Sequence, residues 1–186
     1  MPSTNEMQRI ADLLDRAGSG DAWHGPPVDA TLTGITVEQA AARPLPNGHS
    51  IWEIALHIAV WDRVVARRFG GETFEPSAAE DWPTPAITVD GIEYTVIGAI
   101  SPGASPRGRS GRSEPSPVSA AAWNGVVADV RTARGELRAA MLAFDPARLF
   151  DTVRGKNYSY YVMAHGIVQH DLYHAGQIAL LRKAAS

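Results

Sequence analysis

The stretch SYYVMAHGIVQHDLYHAGQIALLRKAA, residues 159–185, decides the fold class. Apolar residues recur through it at helical spacing for about seven turns. Ser159 or Asn157 is placed to cap its start, and Arg182 and Lys183 near its end suit a helix dipole. His170 and His174 lie four residues apart, so on a helix they project from nearly the same face, one turn apart. Two such imidazoles either chelate one ion or stand solvated, and the spacing alone does not choose between these readings.

Working outward, a second helix is expected over IWEIALHIAVWDRVVARRF, residues 51–69. Ser50 and Glu53 form its capping box and Gly70 and Gly71 stop it. It is apolar around much of its circumference, which marks a largely buried helix, and His57 sits in the middle of that run. A buried imidazole needs a partner, supplied either by ordinary core hydrogen bonding or by a metal shared with the last helix.

Two further long helices complete the pattern. Ser3 and Glu6 are spaced as a capping box ahead of Met7, Ile10, Leu13 and Leu14, with a stop at Gly18. A start at Ser116, Pro117 or Ser119 leads into Trp123, Val127, Val130, Arg134, Leu137 and Met141, and Asp145-Pro146 ends the run. Thr36 and Gln39 cap a short turn between the first two long helices. Four long amphipathic segments without a βαβ rhythm point to an all-α fold, a four-helix bundle, as a single domain over residues 1–186.

Residues 86–117 depart from that plan. AITVDGIEYTVIG alternates around Asp90-Gly91, the signature of a two-residue hairpin turn. Residues 101–117 follow, with twelve of seventeen positions Ser, Pro or Gly. The expectation is an inserted β-hairpin and a flexible loop.

Composition narrows the function. The chain has 186 residues, 45% of them hydrophobic, ample for a core, and its net charge of −3 gives no broad basic surface for nucleic acid or an anionic membrane. The absence of cysteine excludes disulfides, thiolate ligands and a cysteine nucleophile. Neither a signal peptide nor a membrane span is legible, so the expected location is the cytoplasm.

IWEIALHIAVWD and YSYYVMAHGIVQHDLYHAGQIALLRK together resemble the DinB-like superfamily, in its YfiT-like group, and HDLYHAGQI is the most specific block. AWHGP, LTGITVEQAAARP and HSIWE are similar to the family as well, so the resemblance covers most of residues 5–82 and 120–184. It implies an antiparallel four-helix bundle with a long crossover, frequent homodimers, and one divalent metal held by one histidine of the second helix and two of the last. Those positions match His57, His170 and His174. Zinc is the first expectation for the ion, with nickel, iron or manganese also suited. Characterised members include metal-dependent thiol transferases and a mycothiol-dependent isomerase.

The resemblance therefore implies a transferase that activates a low-molecular-weight thiol. The alternatives are a metal-dependent hydrolase, weakened by the lack of an HExxH-type glutamate, and a non-catalytic dimeric metal-binding module of stress response. No catalytic residue is assigned.

Nine other residues carry weaker expectations. Gln177 falls on the ligand face, either beside a bound water or as a structural amide; Glu53 either orients His57 or only completes the cap; His24 either reaches over the metal from a loop or does not. Asp171 is rotated about 100° from His170 and is expected to pair with a neighbouring helix or a second subunit. His165 is expected in helix packing and His49 at the start of the second helix, while Trp52, Trp61 and Trp123 are expected in the core.

Overall fold

The computed structural model describes residues 6–89, 92–95 and 117–185. Seven helices occur among them: α1 (Glu6–Gly18), α2 (Val28–Leu32), α3 (Val37–Ala41), α4 (Ile51–Phe69), α5 (Ala78–Asp81), α6 (Pro117–Ala143) and α7 (Tyr160–Ala184). The chain is predominantly helical, and no helix among the described residues is long and apolar enough to cross a membrane. The expected cap at Ser3 lies outside the described residues.

Local chemistry sets the boundaries. Capping boxes with both reciprocal bonds start α3 (Thr36 and Gln39), α4 (Ser50 and Glu53) and α5 (Ser77 and Glu80). Ser159 caps α7 by accepting from the Val162 N–H. After α6, Asp145 caps a 3₁₀ turn over Pro146–Arg148, where proline at the first position has no N–H to leave unsatisfied. The helices α2 and α5 were not anticipated; each is a turn of four or five residues, too short to show a hydrophobic period.

The long helices pack α4 against α6 and α7, and α1 against α6 and α7, while α2 lies on α7. They enclose two apolar clusters. One contains Met7, Ile10 and Leu14 of α1, Val65 and Phe69 of α4, Leu137 and Met141 of α6, and Tyr160 and Met163 of α7. The other contains Leu32, Ile35, Trp52, Ile58, Trp123, Val130 and Ile178. Leu13 is the exception in the first stripe at 44% exposed, because Ala11 and Ala17 share the buried face in its place.

Between the clusters lies a polar layer, in which Asp62 and Asp171 are fully buried and His57, Arg134 and His174 nearly so. The helices α4 and α6 pass through the two clusters in the same order, and α7 in the reverse order. A chain leaving α4 must therefore return along the length of the helices before α6 begins. That return contains α5 and two short strands, β1 (Ala86–Val89) and β2 (Ile92–Thr95), paired antiparallel with Ala86 opposite Thr95 and Val89 opposite Ile92. The expected turn at Asp90-Gly91, and residues 96–116 with most of the Ser/Pro/Gly-rich stretch, lie outside the described residues.

Candidate metal centre

The helices α4 and α7 bring His57, His170 and His174 together, with one nitrogen from each ring lying within 4.8 Å of the others. The four-residue spacing on α7 sets its two rings edge to face at 4.5 Å between centroids, and His57 approaches both from α4 at 5.0 and 4.8 Å.

Each imidazole is oriented through Nδ1. His57 Nδ1 donates to the Asp81 main-chain carbonyl at 2.7 Å, His174 Nδ1 to Gln177 Oε1 at 2.7 Å, and His170 Nδ1 to Asp171 Oδ1 at 3.3 Å. Carbonyl oxygens only accept, so the proton sits on Nδ1 of His57 and His174, and an ionised Asp171 holds it on Nδ1 of His170, which leaves the Nε2 lone pairs bare. The Nε2 atoms of His57 and His170 then stand 3.1 Å apart. Two lone pairs at that distance repel unless a cation lies between them. Nitrogens bound to one tetrahedral zinc ion at about 2.0–2.1 Å stand about 3.3 Å apart, so the donor set fits a divalent ion.

Electrostatics favours the same state. Burial pushes the His170 and His174 imidazoles down to about 4, with the neighbouring imidazoles adding to the effect at His174. Burial also lowers His57, against the opposing pull of the Asp81 carbonyl. Near neutral pH all three rings are uncharged, the form that coordinates a metal.

The remaining candidates fall on both sides of the site boundary. Gln177 reaches His174 itself rather than a solvent position. Glu53 is spent on the Ser50 cap, an ion pair with Arg43 and a position 3.8 Å from His49, so its carboxylate serves the helix start and not His57. His24 is exposed between α1 and α2 and does not join the cluster. His165 lies against Tyr161 with ring centroids 4.5 Å apart and is likewise outside it. Asp171 lies beside Asp62 of α4 and Arg134 of α6 within the same chain while still touching His170. Burial raises both carboxyl groups above their ordinary range.

Trp61 packs against the first apolar cluster as expected, but it also reaches the site. It is half-buried, donates to Asp81 Oδ1 at 2.6 Å and stands beside the metal cluster, 6.1 Å from the His170 ring. Trp52 and Trp123 are core residues, 5.5 Å apart.

Two contributors were missed in the sequence: Asp81 and Trp82. Trp82 stacks on His57 at 3.8 Å and on His49 at 3.6 Å, sandwiched between the two rings. The signal was present as Ser77-x-x-Glu80, the same capping spacing that marks α3 and α4, which here seats a one-turn helix whose end faces α4. From His57, a cavity of about 420 Å³ runs along the groove between α4 and α7, lined mostly by apolar side chains.

A family model described as the DinB superfamily matches residues 27–178. No curated protein and no solved structure matches the chain.

Proposed function

The chain belongs to the DinB superfamily, and from that premise we propose that it is a metal-dependent transferase activating a low-molecular-weight thiol. The observation that carries this reading is the set of three converging imidazoles, each with a partner at Nδ1, of which His57 and His170 line one end of an apolar cavity. A bound divalent ion would supply Lewis acidity there, lowering the pKa of a thiol or water at its open position. Zinc is the first candidate because neutral imidazole suits it, with nickel, iron and manganese as further candidates.

The chain's own residues supply position and dryness. Asp81, Asp171 and Gln177 hold the ligand rings in one tautomer. The apolar wall seats a small organic electrophile and keeps water from competing for it. With no cysteine in the chain, the attacking sulfur comes from the cosubstrate. In the transfer, its thiol proton is released, a carbon–sulfur bond forms, and the electrophile's leaving group departs with the bonding electrons.

Hydrolysis is the second reading. Asp81 is the one carboxylate among the described residues lining the cavity, and its Oδ1 already accepts from Trp61 and lies 3.2 Å from His57 Nδ1. A carboxylate so engaged is a poor general base, which favours the thiol reading. The third reading is a non-catalytic metal-binding stress module. We further propose the antiparallel four-helix bundle of the family with residues 86–117 as an insertion, a homodimer, and a cytoplasmic location. Light scattering tests the dimer, and a monomer at micromolar concentration would sink it.

The deciding experiment quantifies metal in untagged protein by inductively coupled plasma mass spectrometry, then assays the loaded protein with small thiols against 1-chloro-2,4-dinitrobenzene and related electrophiles. About one metal per chain with metal-dependent thioether formation supports the transferase. Metal without turnover of any thiol and electrophile pair leaves the non-catalytic reading in its place.

A further inference from the structure

The cavity beside the histidines is not uniformly apolar. His57, Trp61, Val65 and Arg68 follow one stripe of α4, while Met163 and Ile167 of α7 close the opposite wall. Arg68 is 3% exposed, a burial that a guanidinium rarely reaches without full pairing. Its Nη1 donates to Tyr158 Oη at 3.1 Å, and its Nη2 to the Phe74 carbonyl at 3.3 Å and Glu75 Oε1 at 2.8 Å. Its Nε is buried and has no hydrogen-bond partner among the described residues.

Charge is unbalanced in the same place. Glu75 is shared between Arg68 and Lys156, so two cations meet one carboxylate, and that carboxylate is 55% exposed while Arg68 is not. A surface acid screened by water neutralises a buried guanidinium incompletely. The excess positive charge therefore sits at the cavity wall.

Distance fits a small molecule. The His57 ring is 6.3 Å from the Trp61 ring, and the Arg68 guanidinium carbon is 5.4 Å from that same ring. An occupant lying along the Trp61 indole touches the metal end with one terminus and Arg68 with the other.

Resting on the transferase reading above, we infer that the electrophilic substrate is a small monocarboxylate with an apolar or aromatic body, its carboxylate received by Arg68 and its reactive carbon turned toward the histidines. Trp61, Val65, Met163 and Ile167 take the body. Arg68 is a substrate-binding residue, and Glu75 is the counter-ion that the carboxylate displaces or joins.

The test is calorimetric titration with trans-cinnamate and its neutral isostere cinnamamide, on metal-loaded and on chelator-stripped protein. Metal content is measured in parallel. The acid is expected to bind at least tenfold more tightly than the amide in both states. Arg68→Met should erase that preference, and Glu75→Gln, at a half-exposed position, should widen it several-fold. Equal binding of acid and amide, or binding of neither, overturns the inference. So does a preference that vanishes on stripping, since the carboxylate would then be held by the metal. If Arg68→Met does not fold, Glu75→Gln still decides, because an unchanged preference there refutes the role of the guanidinium. A chain that takes up no metal yet keeps the preference would sink the transferase reading and leave carboxylate recognition at Arg68 standing.

Discussion

The aromatic-rich cluster on one side of the polar layer and the layer itself have very different interiors. On one side Phe69, Phe144 and Tyr160 cluster with ring centroids 4.5 to 5.8 Å apart among apolar side chains, with the Arg148 guanidinium over two of the rings. In the layer itself, the same helices hold three imidazoles, two buried carboxyl groups and an arginine. Among the described residues Nε and Nη2 of Arg134 lack hydrogen-bond partners, and the Asp62 and Asp171 carboxyl groups, both raised by burial, face each other. Burial of apolar side chains stabilises, whereas polar atoms without full pairing cost free energy. The aromatic end therefore holds the fold together, and the histidine end draws on that stability to keep three lone pairs converged.

The sharpest way to break this contrast is to remove a ligand. His170→Ala should lower metal affinity at least a thousandfold, read by competition with a chromogenic chelator, while the metal-free protein keeps its helical circular dichroism. If the metal-free variant unfolds instead, the histidine end is structural and the contrast fails.

At the aromatic end the expected result is reversed. Leu137 is fully buried, so Leu137→Ala should destabilise by about 3 kcal/mol, or roughly 10 °C in Tm, with metal stoichiometry unchanged. Loss of metal in that variant would show that the two ends are not separable.

Acid should act on the histidine end in the metal-free protein. His174 titrates near 6.5 unfolded and about 4 folded, so its contribution is complete above pH 6.5 and is lost as pH falls toward 4. The stability gap between wild type and His174→Ala should therefore narrow by about 2–3 kcal/mol from pH 7 to pH 4, measured by urea unfolding. A gap that does not change with pH would place His174 in water rather than in the protein interior.

The mildest test is Gln177→Leu, which removes the acceptor of His174 Nδ1 but no ligand. Metal affinity should fall about tenfold with little change in Tm. An unchanged affinity would mean that the helix alone fixes the ring.

Much of this contrast was legible in the sequence, for physical reasons. Helices α4 and α7 announce themselves because long apolar periods and capping boxes are local signals, and His170 and His174 lie together because one helical turn puts them there. His57 required the family resemblance, since no local rule joins residues 113 positions apart. Asp81 and Trp82 were missed because α5 is one turn long and its importance lies in what it faces across the fold. The cavity side of Trp61 was not read because helical periodicity tells which side is apolar, but not whether that side is filled by protein or left as a cavity. Arg68 passed unnoticed for a similar reason: in sequence it is one of two adjacent arginines at a helix end, where cations are expected.

The bond that aims His57 ends on a main-chain carbonyl, whereas those of His170 and His174 end on side chains. The three ligands therefore differ in their exposure to genetic change. A single codon change at 171 or 177 can delete an acceptor, but no ordinary substitution at 81 removes a peptide oxygen. The main-chain half of His57's orientation thus survives a change of residue at 81 as long as the one-turn helix before it persists, whereas the Asp81 carboxylate, 3.2 Å from His57 Nδ1 and the acceptor of Trp61, would be lost with the residue.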